Sequence, residues 1–322
     1  MNATMYIGRE AFVPAETREQ AKALFARSVE RVEVETHSFC NRRCDYCPNS
    51  SGDRLGENKR IPEDIWRLLL ANLREIDFAG SVILTSYNEP LADPMILQRI
   101  REVREHLPRA GIGIFTNGDY LRAGSFPDLA TAGLNYLHIS IHTSPGEKFN
   151  KIVALNQIAK LVKRIDAAVQ FHSLRKNELV AATVPHDKMA IEIRAVNYWK
   201  RGQDRGGLLD GFPSQPARTL PCHYPFAHFH MGFQGNVVPC CNVRSDSEAH
   251  KPYRYGNLRD FGSIFEAYAG RIAAAWRRHL ISFEPKDDPC RTCSVGFMTM
   301  VPKELKKMRA AWEQHVRDRA VE

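Results

Sequence analysis

The strongest constraint on this chain is an alternation repeated through its first half: a short apolar run, then an amphipathic stretch with helical spacing. The runs are "VEVET" (32–36), "SVILTS" (81–86), "IGIFTNG" (112–118) and "YLHISIH" (136–142). The helical stretches are "AETREQAKALFARSV" (15–29), "PEDIWRLLLANLREI" (62–76), "MILQRIREVREHL" (95–107), a short one near "FPDLATAG" and a long one over 148–169. Strands that alternate with helices build a parallel sheet covered on both faces, and such sheets collect reactive residues at the C-terminal ends of their strands. The unusual residues of this chain sit there. Three cysteines follow the first run, Glu89 the second and Asn117 the third, while Ser140 and His142 close the fourth.

Two further runs, "LVAATV" (179–184) and "IEIRAV" (191–196), are separated only by "PHDKMA". A parallel crossover needs about a dozen residues or more. Either "LVAATV" lies outside the barrel or the barrel is trimmed. The expected class is α/β: a shortened, partial (β/α) barrel of five or six strands, bounded by the polar, glycine-rich segment 201–220. Along the chain this gives a barrel over 1–205, a smaller domain over 206–300 and a terminal helix over 301–322.

With 322 residues, 43% of them hydrophobic, the chain can bury a large core and needs no disulfide staples. It has no apolar run long enough to span a bilayer and no secretory order at its N-terminus, so a cytoplasmic location and no membrane partner are expected. The formal charge of +8 is spread out, with much of the excess in the terminal "KELKKMRAAWEQHVRDR". That pattern reads as a solvated helix face and not as a nucleic-acid stripe.

Reduced cysteines that cluster bind metal or do chemistry. Here they fall into two groups, Cys40, Cys44 and Cys47, and Cys222, Cys240, Cys241, Cys290 and Cys293. Three thiolates on a short loop leave one metal position open, as a catalytic metal does. The other reading is a zinc site completed by His37 or Asp45. For the later group, Cys222, Cys240 and the "PCRTC" pair Cys290 and Cys293 supply four ligands, and spacing alone fits structural zinc as well as an iron-sulfur cluster.

"CNRRCDYC" resembles the Cys-x3-Cys-x2-Cys motif of the radical S-adenosylmethionine (radical SAM) enzymes. In that family the three cysteines hold a [4Fe-4S] cluster whose fourth iron binds S-adenosyl-L-methionine, and reduction releases a 5′-deoxyadenosyl radical. The resemblance extends to "YNEP" (87–90), similar to the family's Gly-Gly-Glu-Pro segment although Tyr87 and Asn88 replace both glycines. By the same resemblance Glu89 would accept from the methionyl amino group, Asn117 would lie near the adenosine, Ser140 would reach the ribose or carboxylate, and Arg194 would pair with the methionyl carboxylate.

The later cysteines resemble the SPASM domain or its shortened twitch form. This implies a second [4Fe-4S] cluster fully ligated by Cys222, Cys240, Cys290 and Cys293, suited to passing electrons. Cys241, the leftover thiol, would be a hydrogen-atom donor if the reaction were an epimerisation; as a small buried hydrophobe it would have no such role. His223, His228 and His230 either line a substrate cavity or pack. The resemblance is to the aminocyclitol dehydrogenases and aminoglycoside epimerases. It implies hydrogen abstraction from a carbohydrate, aminocyclitol or nucleoside-type small molecule, fed by a flavodoxin or ferredoxin-type reductant. Two alternatives stand beside it, a maturase of ribosomally made peptides and a zinc-binding interaction module without catalysis.

Overall fold

In the computed structural model, residues 6–50, 54, 56, 58–212, 216–294 and 302–321 are described. The strands are β1 (Arg31–Val34), β2 (Ser81–Ile83), β3 (Gly111–Thr116), β4 (Tyr136–Ile141), β5 (Gln170–Arg175), β6 (Leu179–Val184), β7 (Ala190–Val196), β8 (His228–Met231), β9 (Asn236–Val238) and β10 (Gly256–Asn257). The helices are α1 (Arg18–Ser28), α2 (Glu63–Glu75), α3 (Ile96–His106), α4 (Ser125–Ala132), α5 (Lys151–Ile165), α6 (Tyr198–Arg201), α7 (Tyr224–Ala227), α8 (Leu258–Phe261), α9 (Ile264–Ala269), α10 (Arg271–Ile281) and α11 (Pro302–Val321).

They form two compact units, one of residues 33–61 and 79–203, the other of 1–32, 62–78 and 204–322. Both units are discontinuous in sequence, because the second gathers the first 32 residues and α2 with the C-terminal portion.

In the first unit the order is β1-β2-β3-β4-β7-β6-β5. The pairs β2·β3, β3·β4 and β4·β7 are parallel, whereas β7·β6 and β6·β5 are antiparallel. The sheet stays open, a partial barrel finished by a meander. "LVAATV" is therefore a strand that reverses direction, as its short connection to β7 requires. The long helix ends at Ile165, earlier than the expected 169, and a strand that was not expected, β5, follows from Gln170. Alternation buries Leu137, Ile139, Ile191, Ile193 and Ala195 on one face of β4 and β7; α5, with Ile158 and Leu161 buried, packs on β4 and β6, and α3, with Ile100 and Val103 buried, on β3. Helix α5 starts where the Asn150 side chain accepts from the amides of Ile152 and Val153. Gly118, at φ 77°, lets the chain leave β3; a Cβ there would stand 2.9 Å from Ile139 Cγ2.

In the second unit Phe25 of α1 packs edge-on against Phe229, Phe265 and Tyr268, with ring centroids 5.6, 5.5 and 5.3 Å away. Thr17 and Gln20 form a capping box at the start of α1. Strand order is β10-β9-β8, all antiparallel, with a tight turn at Gly235 between β8 and β9.

Candidate metal and cofactor sites

The three-cysteine loop is tied down before its first cysteine. Glu35, just past β1, and Arg54 are both buried and form a two-pronged ion pair, Nη1 to Oε1 at 3.0 Å and Nη2 to Oε2 at 3.3 Å. Arg54 also donates to the Ser38 carbonyl at 2.9 Å, and its own carbonyl accepts from the Cys40 amide at 3.2 Å. The same Glu35 accepts from the Tyr87 amide at 2.9 Å, and Asn49 Nδ2 donates to the Tyr87 carbonyl at 2.8 Å. The Glu89 amide donates to the Phe39 carbonyl at 2.9 Å. One buried carboxylate thus fastens the cysteine loop to "YNEP". Neither Glu35 nor Arg54 was expected to matter, since nothing in their sequence separation pairs them.

Burial pushes the Cys40 thiol up to about 11 and the Cys44 thiol up to about 12, and the neighbouring cysteines add to both shifts. Thiols in this state ionise only when a cation compensates them, which is what iron ligation supplies. The donor set fits a metal cluster. Among the described residues no three His, Cys, Asp or Glu side chains converge closely enough to hold a single ion.

Glu89 is 2% exposed. Its carboxylate accepts from Thr116 Oγ1 at 2.5 Å, the Asn117 amide at 2.7 Å and the Leu91 amide at 3.1 Å. Burial raises its pKa to about 7 against these hydrogen bonds, which pull the other way. The Asn117 side chain donates to Asn41 Oδ1 at 2.8 Å, and its own oxygen accepts from the Asp119 amide at 2.9 Å. Asp119 in turn takes a forked bond from Arg42 at 2.7 and 2.6 Å and one from Asn41 at 2.8 Å. Arg42 and Asn41 belong to the loop "CNRRC", so the end of β3 grips the cysteine loop from a second side. Tyr46, before the last cysteine, stacks on Tyr198 at 4.5 Å, and its hydroxyl is 2.9 Å from His142 Nδ1. Burial holds His142 neutral, its pKa lowered to about 3.

Register aligns the remaining expected residues. Thr116 pairs with Ile139, which sets Asn117 beside Ser140, and Ser140 pairs across with Arg194. Arg194 is half-exposed and its Nε donates to Glu192 Oε1 at 2.7 Å. Glu192 also lies 3.3 Å from the Tyr136 hydroxyl and 3.6 Å from His138 Nδ1. Glu192 was not anticipated; a glutamate two residues before Arg194 on a strand shares its face, and that spacing was the available signal.

In the other unit, Cys222, Cys240, Cys290 and Cys293 all line one small enclosed cavity, with Pro225, Pro239, Trp276 and Leu280 among its walls. Burial pushes the thiols of Cys222, Cys240 and Cys290 up, and each is raised further by its sulfur neighbours. Four thiols lining one cavity fit a cationic iron core as the first three do. Cys241 is half-buried, and after burial it is the largest influence on Cys240. His228 lies with its ring 5.7 Å from His223, 5.6 Å from His230 and 4.6 Å from Tyr224. These histidines form an aromatic cluster against α7, with His230 buried and His228 held neutral by burial.

Residues 34–176 match the family model described as the radical SAM superfamily, and residues 222–294 the model described as an iron-sulfur cluster-binding domain, SPASM. The chain is 28% identical over 209 residues to S-adenosyl-L-methionine-dependent 2-deoxy-scyllo-inosamine dehydrogenase of Niallia circulans, covering 65% of this chain and 72% of that one. It is 31% identical over 152 residues to GTP 3′,8-cyclase of Clostridium acetobutylicum, 45% of each chain. Among solved structures, BtrN in complex with AdoMet and 2-DOIA is similar with a TM-score of 0.60 at 24% identity, over 83% of this chain and 94% of that one, which shows a common fold. This chain joins a radical SAM domain, residues 34–176, to a SPASM iron-sulfur cluster-binding domain, residues 222–294.

Proposed function

We propose that the chain oxidises a carbohydrate or aminocyclitol-type intermediate at a C–H bond. The observation that carries this reading is the second cysteine set: four thiols surround one buried cavity, enough to ligate every iron of a cubane. A cluster with no open iron suits electron uptake better than substrate binding. Similarity to an aminocyclitol dehydrogenase supports the same direction.

When bound at Cys40, Cys44 and Cys47, the cluster and S-adenosyl-L-methionine would supply a 5′-deoxyadenosyl radical that removes hydrogen from the substrate. The protein's own groups bind and orient. Glu89 would accept from the methionyl ammonium, whose charge offsets the burial that holds this carboxyl near pH 7. Arg194 would take the methionyl carboxylate, exchanging its present bond to Glu192. Ser140, its register partner, would reach the carboxylate or ribose, and Asn117 would lie at the adenosine side. Asn41, Arg42 and Asp119 keep the cysteine loop in place. The electron for the first cluster would come from a flavodoxin or ferredoxin-type partner.

Epimerisation is the second reading, favoured by one feature, the Cys241 thiol beside Cys240. Anaerobic incubation of the iron-loaded chain with candidate aminocyclitols decides between them. Oxidation lowers product mass by two units for each deoxyadenosine formed. Unchanged mass with solvent deuterium uptake, abolished in Cys241→Ala, overturns oxidation in favour of epimerisation; modification of a peptide substrate would make the chain a maturase. Zinc without iron in both cysteine sets would sink the enzymatic reading altogether.

A further inference from the structure

Arg218 precedes Cys222 in the sequence, in a stretch whose composition reads as a solvated linker, yet it is 2% exposed. Its Nε donates to the Leu220 carbonyl at 2.7 Å and its Nη2 to the Pro221 carbonyl at 2.5 Å. The third nitrogen, Nη1, donates to the Cys293 carbonyl at 3.3 Å and to Cys293 Sγ at 3.7 Å. Asn242 Nδ2 reaches the same sulfur at 3.8 Å. A second buried cation stands close by. The Lys286 amide donates to the Arg218 carbonyl at 2.9 Å, and Lys286 Nζ donates to Ser282 O and Oγ at 2.8 Å and to Glu284 O at 2.5 Å. These acceptors are neutral oxygens. Both cations favour the thiolate form of Cys222 and Cys290.

A buried charge costs several kcal/mol unless an opposite charge faces it. Four thiolates around an iron-sulfur core carry a net negative charge, and Arg218 donates to one of their sulfurs. Adding an electron makes that charge more negative. A fixed cation in a low-dielectric site therefore stabilises the reduced cluster more than the oxidised one, and an N–H donor bonds the more negative sulfur more strongly.

We propose that Arg218, with Asn242 and Lys286 beside it, raises the reduction potential of the cluster held by Cys222, Cys240, Cys290 and Cys293. This rests on the reading of that cysteine set as an electron acceptor. The electron taken up is the one a substrate radical loses when its hydroxyl proton leaves to water and the carbonyl forms. Arg218 is in this sense a positioning and tuning residue, acting through the cluster ligands without touching substrate.

The test uses the full chain carrying Cys40→Ala, Cys44→Ala and Cys47→Ala, so that only the second set loads. After anaerobic reconstitution with iron and sulfide, the cluster's midpoint is read by electron paramagnetic resonance across a mediated redox titration. Arg218→Gln is expected to lower the ratio of reduced to oxidised cluster at least tenfold at the parent's midpoint, which for one electron is 59 mV. Arg218→Lys should recover more than half of that shift, and Asn242→Leu should lower the ratio two- to threefold. A fully loaded Arg218→Gln chain whose ratio moves less than twofold overturns the proposal, as does zinc in place of iron at this set. If Arg218→Gln does not fold, Asn242→Leu and Lys286→Gln decide, and unmoved midpoints in both overturn it. A shifted midpoint in a chain whose complete form gives no oxidised product would leave the tuning standing and remove the oxidation reading.

Discussion

Glu89 is ionisable, 2% exposed and wrapped by three donors, so its proton leaves a measurable mark on stability. Its pKa is raised from 4.5 to about 7, with burial as the leading cause. At 1.36 kcal/mol per pH unit this favours the protonated folded form by about 3 kcal/mol. Below pH 4.5 the carboxyl is protonated in both folded and unfolded chains, and the contribution is fully present. Between 4.5 and 7 the folded chain keeps a proton that the unfolded chain has released, so stability falls as pH rises. Above about 7 the contribution is gone.

Three buried histidines run the other way. His37 and His138 are lowered to about 4 and His142 to about 3, all chiefly by burial, so the unfolded chain binds protons that the folded one refuses and stability rises with pH up to about 6.5. The wild-type curve alone therefore hides Glu89, and a difference against Glu89→Gln isolates it. Glutamine has no proton to release. Its cost, an amide nitrogen turned toward the Thr116 or Asn117 donor, is the same at every pH. Urea unfolding of the metal-free chain at pH 4.5, 6 and 8, followed by far-ultraviolet circular dichroism, gives the difference directly. Wild type should lose about 3 kcal/mol relative to Glu89→Gln between pH 4.5 and 8. A constant difference, or one that grows in favour of wild type with pH, would refute the account of Glu89.

Removing the Glu35 carboxylate leaves Arg54 charged and buried, so Glu35→Ala should destabilise the chain by about 3–5 kcal/mol in urea unfolding and weaken iron retention at the first cysteine set. In Gly118→Ala the new methyl meets Ile139 Cγ2 and the backbone must hold φ 77°, so a loss of at least about 1–2 kcal/mol is expected by the same measurement. Phe25→Ala empties the centre of the Phe229, Phe265 and Tyr268 cluster and should cost about 3–5 kcal/mol, seen as a lower thermal midpoint.

What could be read from the sequence followed from local periodicity. The first four runs are strands because each buries an alternating or continuous apolar set, and "PHDKMA" excluded a crossover by its length, while the reversal of β6 against β7 came only with the structure. Strand β5 left no such trace: "QFHSLR" is exposed at nearly every position, so burial imposes no pattern on it. The pattern of α2 showed that it has an apolar face but not what covers that face; its Asn72 accepts from the Ile264 amide, far along the chain. Register did what spacing could not, setting Asn117, Ser140 and Arg194 at neighbouring strand ends. The charged residues escaped for a common reason. Glu35, Arg54 and Arg218 are members of the residue types that mostly lie at surfaces, and only tertiary packing reveals that they are buried.

That last group bears on how one chain can use two clusters for opposite purposes. Cys40 and Cys44 in one set and Cys222, Cys240 and Cys290 in the other are raised by burial and by neighbouring sulfurs alike, so these shifts do not distinguish the sets. Their surroundings do. Near the first set a buried carboxyl, Glu89, adds negative influence on Cys40, and the guanidinium that favours the Cys44 thiolate, Arg42, is largely spent on Asp119. Beside the second set stand two buried cations, Arg218, which donates to Cys293 Sγ, and Lys286, and both favour the thiolate forms of Cys222 and Cys290. Under the proposed reading, negative surroundings keep the first cluster strongly reducing, as cleavage of a sulfonium demands. Positive surroundings let the second receive an electron, so the direction of electron flow is set by which ions each sheet end and loop buries.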